Sequence, residues 1–384
     1  MILTQTTAIF VDAYRELNAK KLFWLTMVLT VVFAASLAMI GIDKEGVRFL
    51  WFHLGFIPIN SDIIEPKAFY LASFSYLGIG IWLTWIATIL AIISTAGIIP
   101  ELVTGGTIES VLARPISRAR LFLTKYLSGL LFVALQVSVF SVLSMLIIWN
   151  RSGYLEPRIL LAIPIVVSFF SFLFCICAFI GLITRSTMTA MLLTLLFWAF
   201  LFILNIGDGI LVQFHESTNI YVEQRTQRVE LARTNTVKLL NRDRESQGLS
   251  IEDYQPTEEE IHTKNPLLSR LETSLEKDQA DLKSLDMWTK AIFTAKTFFP
   301  KTGETIELLN RKLIDPEAFT PVEENEPSVA TDPFSDIEID QDELGQRVEA
   351  RFRERSVLWI LGTSFIFEFF VLGLSTLIFT RRDF

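Results

Sequence analysis

The sequence predicts an all-α polytopic membrane protein. It has six transmembrane helices, an amphipathic helix before them, and a large, mainly helical extracytoplasmic insertion between helices 5 and 6. Three observations predict this. First, the 384 residues are 51% hydrophobic and only 20% charged, against about 25% charge in a typical soluble domain, and the mean hydropathy is +0.44. Second, six runs reach the roughly 20 apolar residues that a membrane span needs. Third, charge is segregated. Residues 215–355 hold 30 of the 42 acids and 19 of the 34 bases, a balance of −11, while the remainder carries 15 bases and 12 acids. Such a composition excludes a disordered chain, a collagen-like fibre and a small disulfide scaffold. No segment presents a dominant basic face, so no nucleic-acid partner is expected.

Residues 1–21 form the first element. Ile2, Leu3, Ile9, Phe10, Ala13, Tyr14 and Leu17 recur at helical spacing, with Gln5, Asp12, Arg15, Glu16 and Lys20 on the other side. This pattern predicts an amphipathic helix in the membrane interface; a helix packed on a soluble partner would show the same stripe. No basic region precedes the apolar part, and Asp12 and Glu16 interrupt it, which excludes a secretory signal.

The spans are Leu22–Ile42, Leu71–Ile99, Leu121–Trp149, Ile159–Ile183, Met188–Phe214 and Val357–Phe379. Five therefore lie within 22–214, with a loop at 100–120, and the sixth within 357–384. The second and third are long enough to tilt or to extend beyond the lipid. Orientation follows from Lys and Arg in short loops. With the N-terminus inside, the inner segments hold Arg15, Lys20, Lys21, Arg114, Arg118, Arg120, Lys125, Arg185, Arg381 and Arg382. The outer loops hold only Lys44, Arg48, Lys67, Arg151 and Arg158. Both termini are thus expected in the cytoplasm and the 215–356 segment outside.

Within that segment, Leu268, Leu271, Leu275, Leu282 and Leu285 fit a heptad-like seam that Asp278 breaks. A helical hairpin is expected, with Val222–Leu240 as the other arm. Trp288, Phe293, Phe298 and Phe299 either dip into the interface or form a local core. Pro316–Asp342, rich in Pro, Asp and Glu, reads as a loose linker. Arg351, Arg353 and Arg355 run against the positive-inside pattern and are expected to pair with nearby acids.

Enzymatic signals are missing. There is no G-x-x-x-x-G-K-[ST] phosphate loop, H-E-x-x-H or G-x-S-x-G. His53, His215 and His262 are scattered, without metal-ligand spacing. Cys175 and Cys177, two apart in an apolar run, point to different sides of a helix and read as small buried hydrophobes. Two acids lie within apolar runs. Such acids face a bundle interior or water. Glu368, amid Phe365, Phe367, Phe369 and Phe370, is either a pathway or gating residue or a structural hydrogen-bond partner. Asp208, between Gly207 and Gly209, is a second pathway or gating candidate. It is expected to be hydrated near the outer surface, where a helix could break.

The most informative segment is the loop Pro100–Arg118. Glu109, Val111 and Leu112 fit a short helix that ends near Arg114, because a residue before proline disfavours the helical region. Ser117 is placed to cap the next helix. A short charged helix projecting from the inner face suits docking of a soluble partner. The run G-T-I-E-S-V-L-A-R-P-I-S-R, followed by L-T-K-Y-L-S-G, resembles the coupling region of ABC-2 type permeases. Thr124 stands where that pattern has glycine, and Gly105 where many members carry a basic or polar residue. The six spans and the Arg381-Arg382-Asp383-Phe384 ending also suit the family; the plan is most similar to the copper-enzyme-maturation (NosY-like) type. The resemblance implies a transport subunit, not itself an enzyme, that works as a homodimer or pseudo-dimer in a bacterial-type inner membrane. A separate ABC ATPase would carry ATP-Mg, and this chain would need no cofactor. Glu101, Gly106, Thr107, Glu109, Leu112, Arg114, Pro115, Arg118 and Lys125 would form the ATPase-coupling surface. Partners would also include membrane lipid and an envelope protein on 215–356. Two competing classes stay open at this point. One is a polytopic signalling or scaffold protein that binds a partner through 215–356. The other is an intramembrane enzyme, which would require Asp208 or Glu368 to be indispensable for a chemical product.

Overall fold

In the computed structural model the described residues are 15, 18, 21–53, 60–104, 117–250, 254–313, 329–331 and 338–382. The expected interfacial helix at 1–21 and the core of the 100–120 loop lie outside them, save for a few residues at their ends. Among the described residues the fold is mostly helical (85%). Among the described residues, six helices are long and apolar enough to cross a membrane: Lys21–Met39, Pro66–Val103, Arg118–Ser152, Pro157–Thr184, Thr187–Ser246 and Leu358–Arg381. They correspond one to one with the six hydropathy runs.

The first helix, α1 (Lys21–Met39), leads into a small antiparallel sheet of β1 (Ile40–Asp43), β2 (Gly46–Phe49) and β3 (Phe52–His53). An all-helical reading does not contain it. Asp43 pairs with Gly46, so the turn is the two residues Lys44 and Glu45. Gly46 adopts φ 127°, a conformation costly for any other residue. The second span is composite. It comprises α2 (Pro66–Ser73), a π-helical stretch Phe74–Ala87, and α3 (Thr88–Thr95), with α4 (Ile98–Thr104) following. In the widened stretch, hydroxyls reach carbonyls five residues back: Thr84 to Ile79 and Thr88 to Leu83, each at 2.8 Å.

The third span is α5 (Arg118–Ser152). Ser117 stands at its N-cap position, in extended backbone, but its side chain makes no capping hydrogen bond. A 3₁₀ turn, Pro157–Leu161, opens the fourth span, α6 (Ala162–Thr184). Arg185 closes α6 in the left-handed conformation (φ 54°), its N–H donating to Gly181 O at 3.0 Å. The fifth span, α7 (Thr187–Ser246), continues unbroken for 60 residues, about 90 Å at 1.5 Å per residue. Then come α8 (Glu258–Lys264), α9 (Pro266–Thr297), α10 (Thr302–Leu313), the strand pair β4 (Val329–Thr331) and β5 (Glu338–Asp340), and α11 (Gln341–Arg353). The chain ends in a π-helical turn, Leu358–Gly362, and α12 (Thr363–Arg381). The β4–β5 pairing lies within the segment expected as a loose linker.

Packing divides the chain into two compact units. One comprises 1–203, 296–324 and 356–384; the other comprises 204–295 and 325–355. The first contains most of the spans and the main hydrophobic core, centred on Phe74, Phe122, Phe140, Phe169, Phe170 and Phe174. The fourth span is the most enclosed, with 61% of its apolar window buried, against 22% for the first and the fifth. This unit also contains α10, whose Ile306, Leu308, Leu309 and Leu313 are buried. α10 packs on α6, on the π-helical stretch and on the 3₁₀ turn. Asn310 accepts from the Ser75 hydroxyl, and Arg158 donates to Lys312 O at 3.2 Å. Phe299, just before α10, packs against Phe197 and Phe200, whereas Trp288, Phe293 and Phe298 are exposed.

The second unit is a helical hairpin. Val229, Ile261 and Leu268 form its core, with Ala232, Val237, Leu240, Leu271 and Leu275 around them. Asp278, the break in the leucine seam, faces Arg225 of the other arm at 3.1 Å. Thr257 and Glu260 form a full capping box at the start of α8. A smaller cluster of Ile220, Ile339 and Leu344 joins α11 to α7, and Arg347 clasps Glu223 at 2.8 and 3.1 Å.

Candidate functional site

Residues 105–116 carry Gly106, Thr107, Glu109, Leu112, Arg114 and Pro115 and lie outside the described residues. The flanks of this segment are described. On its N-terminal side, α4 packs closely on α5 and α6 through glycines. A Cβ at Gly181 would meet the Pro100 ring at 3.0 Å. One at Gly129 would meet the Phe174 ring at 2.5 Å, with Ile98 at 3.3 Å. Glu101 is exposed on α4. Its carboxylate lies over Gly97, so close that a Cβ there would sit 2.3 Å from Oε1.

On the C-terminal side, Arg118 opens α5. Its Nη1 donates to Arg382 O at 2.8 Å, and Arg382 Nη1 donates to Leu182 O at 2.6 Å. Arg382 follows the last residue of α12, and Leu182 lies in the last turn of α6. Carbonyls of a final helical turn lack intrahelical partners, and a guanidinium there both hydrogen-bonds them and meets the negative end of the helix dipole. The helix directly after the 105–116 segment is thus tied to the ends of two other spans. Lys125 lies half-buried two turns further on.

Tyr126, next to Lys125, belongs to a second polar cluster. Its hydroxyl lies 2.7 Å from Glu368 Oε1 and 3.0 Å from Ser171 O. The Ser171 hydroxyl lies 2.9 Å from Glu368 Oε2 and 2.8 Å from Ser168 O. Glu368 is 8% exposed, Tyr126 2% and Ser171 3%. The three side chains come from α12, α5 and α6. The Tyr126 ring stacks on Phe174, with centroids 5.1 Å apart. Hydrogen bonding from both hydroxyls is what makes a mid-span carboxyl tolerable.

Asp208 departs from expectation. It is 1% exposed rather than hydrated, and α7 runs through Gly207 and Gly209 without a break. The reason is Arg355, whose Nη1 and Nη2 reach Asp208 Oδ2 and Oδ1 at 2.6 and 3.0 Å. This bidentate pair removes any need for water. The other two arginines of the same cluster also find acids, Arg353 with Glu349 at 2.7 Å and Arg351 with Glu354 at 3.6 Å. Glu368 and Asp208, the two pathway candidates, are therefore not brought to one place; they fall in different packing units.

Three groups that sequence reading did not single out are Arg382, Tyr126 and Lys301. Arg382 stood only as a terminal base, and Tyr126 only as a motif position. Lys301, between α9 and α10, is 1% exposed. Its Nζ donates to Thr297 O at 2.9 Å and to the Thr363 hydroxyl, and lies 4.9 Å from the Trp359 ring centre. Burial pushes its ammonium down to about 8, partly opposed by Glu304. Lys296 and Glu304 form a buried ion pair beside it. Arg158 hydrogen-bonds Glu156 at 2.6 Å and holds its carboxyl below the usual range, with Lys67 3.4 Å away on its other oxygen.

Among the described residues no group of three or more His, Cys, Asp or Glu is placed to hold a metal ion. Both cysteines are free and buried. Neither the curated proteins nor the solved structures include a match to this chain. The family model for ABC-2 family transporter proteins matches residues 7–242. That stretch contains the first five apolar runs, the coupling-like segment and Arg118, and it makes the chain a member of the ABC-2 transporter family, a multi-pass membrane component of an ABC transporter.

Proposed function

We propose that the chain is the permease subunit of an exporter in a bacterial-type inner membrane, with both termini cytoplasmic. It is driven by a separate ABC ATPase that binds ATP-Mg. The ATPase docks on the 100–120 segment, contacting Glu101, Glu109, Arg114 and Arg118. Gly106, Thr107, Leu112, Pro115 and Lys125 shape and orient that segment. Two copies, or this chain and a related one, form the membrane body. The broad apolar faces of α1 and the first half of α7, including Trp24, Val28, Val32, Leu192, Leu196 and Ile203, suit lipid and a second permease. Residues 215–356 form the extracytoplasmic domain, whose hairpin suits an envelope partner.

One observation carries the coupling role. Arg118, at the end of the docking segment, holds the carbonyl of the residue that follows the sixth span, and Arg382 holds the end of the fourth. A displacement of the segment is therefore passed to three spans at once. Glu368 serves as a gating contact, because α5, α6 and α12 separate only by breaking its hydrogen bonds. Asp208 acts as a clamp within its unit through Arg355.

The test is copurification of the full chain with its ATPase, followed by measurement of ATP hydrolysis. Glu109→Lys and Arg114→Glu are expected to abolish the complex. Arg382→Ala is expected to keep the complex but to lose the permease-dependent change in hydrolysis. If no ATPase copurifies, and the charge reversals leave the complex and its hydrolysis intact, the proposal fails and a scaffold role replaces it.

A further inference from the structure

The Tyr126–Ser171–Glu368 cluster has more acceptors than its hydrogens can use. Each hydroxyl carries one hydrogen and faces two acceptors. For Tyr126 these are Glu368 Oε1 at 2.7 Å and Ser171 O at 3.0 Å. For Ser171 they are Glu368 Oε2 at 2.9 Å and Ser168 O at 2.8 Å. Two complete hydrogen-bond patterns fit the same heavy-atom positions. With the carboxylate ionised, Tyr126 and Ser171 both donate to it. With Oε1 protonated, the carboxyl donates to the Tyr126 oxygen, Tyr126 turns to Ser171 O, and Ser171 continues to donate to Oε2. No donor and no acceptor of the carboxyl is lost in either pattern. A purely structural carboxyl needs only one of them.

We propose that Glu368 is a proton-binding site at the junction of the third, fourth and sixth spans, with Tyr126 and Ser171 as its positioning residues. The step is simple uptake, in which the carboxylate and one proton give the neutral acid. No other bond changes and no redox partner is involved. The charge balance favours a site that changes state. Among the described residues, the titratable groups beside Glu368 are the Tyr126 phenol on α5 and the Cys175 thiol on α6, neither of which can carry a positive charge. Among the described residues, the hydrogen bonds to the carboxyl come from hydroxyls and from no cation. Buried acids of this kind in membrane spans mark proton relays and ion paths. Ser364, Glu368, Val371, Ser375 and Phe379 share the buried face of α12. Glu368 is the only ionisable group among these five. The inference does not depend on which partner the permease binds.

Infrared difference spectroscopy on the full-length protein in lipid nanodiscs tests this, between about pH 4 and about pH 10 to bracket carboxyl and phenol titration. The expected result is a buried-carboxylic-acid carbonyl band that appears as pH falls, shifts in D₂O, and is lost in Glu368→Gln. Tyr126→Phe and Ser171→Ala keep the carboxyl and are each expected to move the band, because its oxygens lose a partner. Size-exclusion profile and melting temperature establish that each variant is folded. Should Glu368→Gln not fold, the Tyr126→Phe and Ser171→Ala shifts decide alone. A band present at every pH, no band at any pH, or a titrating band unmoved in both hydroxyl variants overturns the proposal. The readout is independent of ATPase docking, so it stands or fails separately from the exporter reading.

Discussion

Removal of one partner of the Asp208–Arg355 pair is predicted to open the unit made of 204–295 and 325–355, whereas removal of both is not. The side chains are 1% and 8% exposed, and the guanidinium lies 4.7 Å from the Phe352 ring centre. Asp208→Asn leaves a buried cation facing an amide, and Arg355→Met leaves a buried carboxylate facing a thioether. Breaking a buried pair from one side costs about 3–5 kcal/mol, because the remaining charge cannot be rehydrated. Replacing both partners with apolar groups is often neutral. At about 1.4 kcal/mol per tenfold, a loss of 3 kcal/mol raises the open fraction roughly a hundredfold. Native-state proteolysis of the full-length protein in nanodiscs reads this directly, because cleavage follows the open population when reclosing is fast. Each single variant is expected to cut at least about fiftyfold faster than the native chain. The double variant Asp208→Leu/Arg355→Met is expected to fall within about tenfold of the native chain. If the singles stay within about threefold of native, or the double is as labile as the worse single, the pair is not the clamp described here.

Two other perturbations follow from close packing and from titration. Lys301 sits near 8 in the folded chain against 10.5 when free. Between those values the unfolded lysine keeps a proton that the folded one has released. Stability therefore rises with pH across that window, by at most about 3 kcal/mol, and the penalty is fully present below it; Lys301→Met should flatten a plot of unfolding midpoint against pH. Gly129→Ala is predicted to cost about 1–3 kcal/mol in unfolding titrations, because its Cβ would meet Phe174 at 2.5 Å. That ring cannot swing away, being stacked between Tyr126 and Phe170.

The six spans were legible because each is a continuous apolar run of about 20 residues, and such a run satisfies its own backbone in lipid only as a helix. The hairpin was legible from the leucine seam at 268–285, since repeated apolar spacing demands a facing surface. Asp278 looked like a flaw in that seam only because Arg225, far away in sequence, was not visible as its partner. The same limit hid the Asp208–Arg355 pair, whose members are 147 residues apart. Isolated hydroxyls in apolar runs carry no signal of their own, so Tyr126 and Ser171 did not point to Glu368. α10 is polar enough to pass for part of the acidic block; only its packing shows that Ile306, Leu309 and Leu313 join the main core. The β1–β2 hairpin escaped because four-residue strands at the end of a hydropathy run look like more of the run. The coupling reading of 100–120 rests on a motif resemblance and not on periodicity, and residues 105–116 lie outside the described residues.

The polar contacts inside the membrane body are unevenly satisfied, and the pattern bears on which spans can part. α5, α6 and α12 are joined at two levels, by Arg118 and Arg382 at one end and by the Glu368 cluster further along. At both levels the donors find acceptors, so separation strands charged groups and is costly. The seam of α5 with α1 and the π-helical stretch is different. Gln136 Nε2 donates to the Thr30 hydroxyl at 3.2 Å. Yet Gln136 Oε1, Ser141 Oγ, Ser144 Oγ and Trp82 Nε1 are buried without a hydrogen-bond partner. Each such atom costs about 1–3 kcal/mol while it stays dry. Ser144 also lines a cavity with Tyr70 and Ser73. Opening this seam to water recovers that cost, whereas opening the other incurs a new one. Hydrogen bonding thus joins the third, fourth and sixth spans to one another more completely than it joins the third span to the first and second.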